Sequence, residues 1–203
     1  MLPSSENLET IQVYEDHAQT FISKTSQETS GVPKEWIDES LQLCPTGTPI
    51  LEIGSGGGRD ASYISALGYD IICSDATDSF LNVLAAKGFQ PRKINVLSDE
   101  LGGPYGMVLA NCVLLHLTRH EIGHALQKIH ASLCEKGVFA CSFRVGDKSF
   151  WDPHKVAVPR YFQLWQPEEM ILLLRIAGFD TKWMRFGNSS NTLDKFYIVA
   201  VKV

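Results

Sequence analysis

With 203 residues, 44% of them hydrophobic, the chain is long enough to close one sizeable core as a single domain. A formal net charge of −5 and the lack of any Lys/Arg cluster exclude nucleic acid as the expected partner. No apolar run reaches the length of a membrane span, and the polar start Met1–Asn7 does not read as a secretory signal.

The elements follow in chain order. Leu8, Ile11, Tyr14, Ala18, Phe21 and Ile22 recur at helical spacing, so the first 43 residues read as helical, with a Ser/Thr-rich break from Ser23 to Gly31 and a second helix opened by Pro33. From Pro49 onward, β-rich runs alternate with helical ones: strand 49–54, helix 59–67 stopped by Gly68, strand 70–75, helix 79–87 stopped by Gly88, then strands 91–96 and 106–112. A helix over 119–133, a strand over 137–144, a helix over 168–177 and strands over 180–186 and 194–202 complete the pattern. This alternation predicts an α/β, doubly wound, mostly parallel seven-stranded sheet with helices on both faces. The Gly187–Thr192 connection is too short for a crossover helix, so the last strand should run antiparallel. No repeat or linker divides residues 1–203, which read as one domain: a helical segment (1–43) and an α/β core (49–203). The five cysteines, Cys44, Cys73, Cys112, Cys134 and Cys141, form no C-x-x-C pair and read as buried thiols of a cytoplasmic protein.

The strongest local signal is Ile50-Leu51-Glu52-Ile53-Gly54-Ser55-Gly56-Gly57-Gly58-Arg59, an apolar strand that runs into closely spaced glycines and a helix. Glycine lets the chain bend sharply and lets a ligand approach the backbone, and the following helix offers N–H donors. The next strand ends at Asp75, 21 positions after Gly54, where an acid can hold ribose hydroxyls. As a helix cap, Asp75 competes with Asp78 and Ser79, which are at least as well placed. Glycine occupies the first, third and fifth places, and Arg59 stands where a dinucleotide-binding fingerprint needs its last glycine, which disfavours a nicotinamide dehydrogenase.

This spacing, with Glu52 upstream and Asp75 downstream, resembles the first motifs of class I S-adenosylmethionine-dependent methyltransferases. The resemblance implies S-adenosyl-L-methionine as cofactor, held by Glu52, Gly54, Ser55, Gly56, Arg59, Asp75 and Ala76, and an N-terminal lid helix bearing Tyr14 and Ala18. It further places Asn95 and Val96 at the adenine, where the family usually carries an acid; Asp99 is the alternative. Tyr105-Gly106 replaces the family's usual Phe-Asp. Asn111 and Cys112 border the cofactor at the end of the fourth strand, and Cys112-Val113-Leu114-Leu115-His116-Leu117 resembles the segment beside its sulfur. Glu135-Lys136-Gly137 and Pro167 through Phe179 match the later turns and helix, so the likeness spans Ile50 to Val203.

A competing motif is His120-Glu121-Ile122-Gly123-His124, a literal H-E-x-x-H that alone would read as a zinc hydrolase. Its extended form needs a glycine where this chain has Gln127, and on a continuous helix His130 would lie about 80° round from His120. Ile122, Ala125, Leu126, Ile129 and Leu133 form the buried stripe, which turns His120 and His124 to water. Thr118 and Glu121 read as a capping box. No metal site is expected.

Residues 144–165 carry Arg144, Phe150, Trp151, His154, Arg160, Tyr161, Phe162 and Trp165, a wall or flap over the site. Arg144, Trp151, Arg160 and Tyr161 are the expected substrate contacts, and two arginines beside aromatic rings suit a small anionic acceptor. Should that acceptor lose a proton, His116 is the best-placed base, its ordinary pKa lying near neutrality. The expected activity is methyl transfer to a small molecule by in-line displacement, with a non-catalytic adenosyl-ligand-binding module as the alternative. Motifs of adenine or cytosine DNA methyltransferases are absent from the sequence.

Overall fold

Ile50–Ile53 is buried along its whole length and forms β1, an interior strand of the sheet. In the computed structural model, which describes residues 1–187 and 195–203, β2 (Ile71–Asp75) and β4 (Tyr105–Asn111) pair with it in parallel on either side. The short β3 (Arg92–Lys93) flanks β2, and β5 (Leu133–Arg144) flanks β4, again in parallel. β9 (Lys195–Lys202) runs antiparallel between β5 and β8 (Phe179–Gly187), giving the order β3-β2-β1-β4-β5-β9-β8. The sheet is thus the expected seven-stranded, mostly parallel one with an antiparallel final strand. The connection between β8 and β9 falls on 188–194, outside the described residues.

Side-chain alternation along these strands explains the layers. Ile50, Met107, Leu109, Val138 and Val199 pack with Trp36, Ile37 and Leu41 of α2 (Gly31–Leu43) and Ile64 of α3 (Arg59–Ala66). Leu51, Ile53, Val108, Phe139 and Ile198 pack on the other face with α5 (Ile122–Ser132) and α6 (Pro167–Ile176). Trp36 is fully buried and donates its indole N–H to the Ile198 carbonyl at 2.9 Å, which pins α2 to the sheet. Gly106 has a packing cause: a Cβ there would run into Thr48 Oγ1.

Several boundaries differ from expectation. The third strand pairs only through Arg92 and Lys93, and α4 (Asp78–Ala86) is capped by Thr77, whose hydroxyl accepts from Phe80 N–H at 3.3 Å. The helix expected from 119 starts at Ile122, after a 3₁₀ turn at Leu114–His116. The flap is a β-hairpin, β6 (Ser149–Asp152) paired antiparallel with β7 (Arg160–Gln163). The first helix, α1 (Ser5–Ser23), packs against α4, β7 and the 3₁₀ turn. Its Leu8 is 53% exposed, whereas the polar Asn7 and Thr10 are buried because they bond to Asn95 and to the Tyr161 N–H. The helical periodicity therefore marks a face turned partly to a cavity.

Candidate functional site

Strand order reverses between β1 and β4, the switch point where α/β sheets open a crevice at their carboxyl ends. There a cavity of about 500 Å³ is floored by the strand tips and roofed by α1 and the β6–β7 hairpin. On the floor, Gly54 has φ +65°, and a Cβ there would meet Val113 Cγ2 at 2.6 Å, so only glycine leaves the bend intact. Asp75 joins the glycine turn to β2. Its Oδ2 accepts from Gly56 N–H at 3.0 Å, and its Oδ1 accepts from the Thr77 N–H and hydroxyl, both at 3.0 Å. Burial pushes the Asp75 carboxyl up, against the pull of those donors.

The other expected cofactor contacts divide into those on the cavity wall and those beneath it. Tyr14, Gly54, Gly56, Asp75, Ala76, Asn95, Val96, Asn111 and Cys112 line the cavity; Glu52, Ser55 and Arg59 do not. Glu52 is buried below the turn, its Oε2 without a partner among the described residues, and burial, helped by Asp60, pushes its carboxyl up to about 8. Ser55 bonds inward, accepting from Ser74 N–H at 3.2 Å. Arg59 grips Asp60 through two bonds of 2.7 and 2.9 Å, and Asp60 also accepts from Asn111 Nδ2 at 2.7 Å. Asn95 donates from Nδ2 to Asn7 and accepts from Leu97 N–H at Oδ1. Cys112 adopts φ +57°, unusual for a side chain of this kind. Its N–H donates to Ser142 Oγ at 2.9 Å. Burial would raise its thiol pKa, but Lys195, Ser142 and Arg144 together pull it below the ordinary value.

The roof is held by a chain of polar bonds. Arg160 donates to Tyr14 Oη at 3.0 Å, Tyr14 donates to His116 Nε2 at 3.0 Å, and His116 Nδ1–H donates to the Tyr161 carbonyl at 2.6 Å. Burial, with Arg160 and Arg144 nearby, lowers the His116 pKa to about 3. The near-neutral pKa that recommended His116 as a base is therefore gone, and its free lone pair is taken by Tyr14. In the hairpin, Asp152, Arg160 and Phe162 face the cavity with Arg144 of β5 beneath them. Trp151 and Tyr161, paired across the hairpin, do not line it; Trp151 is 40% exposed, and Tyr161 Oη donates to Gln163 Oε1 at 3.2 Å. Period-two alternation fixes which set faces inward, and only strand register reveals it.

Sequence reasoning did not name Glu15, Lys155 or Lys195. Glu15 of α1 accepts from Asp78 N–H at 2.7 Å and from Ser79 N–H at 3.1 Å, covering the α4 N-terminus in trans. Lys155 and Lys195 line the cavity, and no local spacing pattern would single them out. The H-E-x-x-H residues lie elsewhere. His120 is exposed in the turn before α5, so the two histidines do not share a helix, and His124 is half-buried with Nε2 3.3 Å from the Leu97 carbonyl. Glu121 does reach back, accepting from Thr118 N–H at 2.8 Å and also from Ser4 N–H at 2.7 Å.

The family model described as "Tellurite resistance protein TehB" matches residues 19–140. No curated protein sequence matches the chain. Among solved structures, the Burkholderia thailandensis 1,6-didemethyltoxoflavin-N1-methyltransferase, with its substrate and S-adenosylhomocysteine bound, is 20% identical, with 97% of this chain and 86% of that one covered and a TM-score of 0.75. A Methanosarcina mazei SAM-dependent methyltransferase is 14% identical over 80% and 96% of the two chains with a TM-score of 0.70. The CcbJ methyltransferase of Streptomyces caelestis is 19% identical over 85% and 97% with a TM-score of 0.68. At these identities the likeness is one of fold. Among the described residues no helix is long and apolar enough to cross a membrane, and no group of three or more His, Cys, Asp or Glu side chains could hold a metal ion.

Proposed function

The chain belongs to the family described as tellurite resistance protein TehB, a family of S-adenosylmethionine-dependent methyltransferases, and from that premise we propose that it methylates a small anionic acceptor inside the roofed cavity. The observation that carries the acceptor class is Arg160: it is 3% exposed, faces the cavity, and its Nε has no partner among the described residues. A buried guanidinium without a carboxylate is costly unless a ligand completes it. Arg144 lies beside it, its Nη1 3.5 Å from Asp152, and both arginines stack on Phe162. Tellurite, named in the family description, is itself a small oxyanion.

The floor suits an adenosyl sulfonium in size and chemistry. The cavity's volume falls in the usual range for small-ligand pockets, about 300–1,000 Å³, and Gly54 and Gly56 present backbone to it. Asp75 would hold the ribose, Ala76, Val96 and Asn95 would surround the adenine, and Gly54, Gly56, Asn111 and Cys112 would border the remainder. When bound, this cofactor supplies an electrophilic methyl whose leaving group departs as a neutral thioether. The protein's own share is alignment and exclusion of water. Tyr14, fixed between Arg160 and His116, closes α1 over the cavity, and His116 acts as a neutral acceptor that positions Tyr14. The five free thiols fit a cytoplasmic protein.

Calorimetry with S-adenosylhomocysteine is the first test, followed by methyl transfer to a panel of small acceptors including tellurite and aromatic carboxylates. Turnover of anionic over neutral acceptors is expected. Loss of that preference in Arg144→Met and Arg160→Met supports the assignment, and unchanged kinetics in both refute it. Cofactor uptake without transfer to any acceptor would favour a non-catalytic ligand-binding module.

A further inference from the structure

The turn between β6 and β7 places Lys155 on the cavity wall in an unusual setting. Its ammonium stands 4.4 Å from the Phe21 ring centroid of α1, so the residue bridges the two halves of the roof. The turn is held in place by Val156, 3% exposed, and by Ala157 N–H donating to the Pro153 carbonyl at 2.8 Å. No carboxylate of the described residues lies within ion-pairing distance of Lys155. The charges around it are predominantly positive: Arg160 on β7, Lys195 on β9 and Arg59 on α3, against the Cys112 thiol after β4. Arg144, Lys24 and His154 also line the same cavity. Among the described residues its two acids are already engaged, Asp75 by Gly56 and Thr77, and Asp152 by Arg144 and the His154 N–H.

We propose that Lys155 is a proton-linked latch for a carboxylate: an anion entering the cavity is captured by its ammonium, which draws the hairpin and α1 together over the ligand. Burial first, and then Lys195 and Arg160, lower the free amine's pKa to about 8. A bound anion opposes both effects and raises it again. Binding therefore takes up a proton above about pH 8, and anion affinity falls as pH rises from there toward the bound-state pKa. Below that window both states are charged and no proton is exchanged. The carboxylate has two sources under the proposed function, the amino-acid end of the cofactor and the acceptor, and the latch rests on that reading only for this choice.

The test is calorimetry at pH 9 in two buffers of different ionisation enthalpy, comparing the wild type with Lys155→Arg and Lys155→Met. The Lys155-dependent uptake for S-adenosylhomocysteine should approach ~1 proton per site. Lys155→Arg should keep its affinity without that uptake, and Lys155→Met should bind on the order of tenfold more weakly. Methylthioadenosine, which lacks the amino-acid group, should show no such difference. Uptake appearing only when benzoate is added to protein saturated with S-adenosylhomocysteine assigns the latch to the acceptor. Absence of any Lys155-dependent uptake in both arms overturns it. If S-adenosylhomocysteine does not bind at all, methyl transfer is what fails, and the latch is decided by lysine ¹⁵N NMR with Lys155→Arg for assignment. The Lys155 signal should then titrate near 8 and move up by more than one pH unit with benzoate; titration above 10, or no movement, refutes it.

Discussion

The floor and the roof of the cavity are built on opposite principles. The floor is made of strand tips whose polar groups are largely satisfied within the protein: Asp75 is bonded on both oxygens, and Asp60 holds Arg59 and Asn111 together. Among the described residues, the roof concentrates cations with few acids to answer them, including the buried Arg160 and the half-buried Lys155. A satisfied floor is preorganised, whereas an excess of cations in the roof is what the proposed anionic ligand would neutralise.

Substitutions on the two sides should therefore separate. Asp75→Ala is expected to have the largest effect, weakening S-adenosylhomocysteine about 100-fold by calorimetry, since bonds to a charged group contribute roughly 1.5–3 kcal/mol. If that loss is matched by Arg160→Met, the division into floor and roof collapses; retention of cofactor affinity within about threefold, with loss of acceptor selectivity, sharpens it. Next comes Gly54→Ala, where positive φ and the clash with Val113 should destabilise the fold by about 1–3 kcal/mol in denaturant titration, and weaken cofactor binding with it.

The two sides should also answer pH with opposite slopes. His116 in the roof stays neutral down to about 3, while the unfolded chain protonates it near 6.5. The unfolded state thus binds more protons between those values, and stability falls as pH drops through this window. Glu52 under the floor keeps its proton up to about 8, whereas an unfolded glutamate loses it near 4.3. There the folded state binds more protons, so stability falls as pH rises from 4.3 toward 8. Thermal melts of His116→Gln should lose the acid slope, and Glu52→Gln should be more stable than the parent at pH 8 but not at pH 4. The smallest effect is expected for Glu15→Ala, about 1 kcal/mol, as for loss of a helix cap, read as faster hydrogen exchange at Asp78 and Ser79.

The floor was legible in the sequence because its determinants are local and at fixed spacing: the glycines after β1 and Asp75 at the tip of β2 follow from one βαβ unit. The sheet followed from alternating periodicity. The roof was only half legible. Its aromatic and arginine content announced a wall, but whether Arg160 and Phe162 or Trp151 and Tyr161 face inward depends on hairpin register, which is set by tertiary packing. The start of α5 slipped for a similar reason: Glu121 spans Thr118 and Ser4, so a contact from the far end of the chain shapes that turn. The perturbation of His116 needed burial and the approach of Arg160 and Arg144, neither of which is written in its neighbours.

Glu15 has one more implication. Because its carboxylate accepts from the amides of Asp78 and Ser79 just past the tip of β2, swinging α1 aside to admit or discharge a ligand would leave two N–H donors of α4 without their acceptor until water replaces the acid. Traffic through the doorway would thereby be tied to the N-terminus of α4, at a cost of two unpaired amides on each opening.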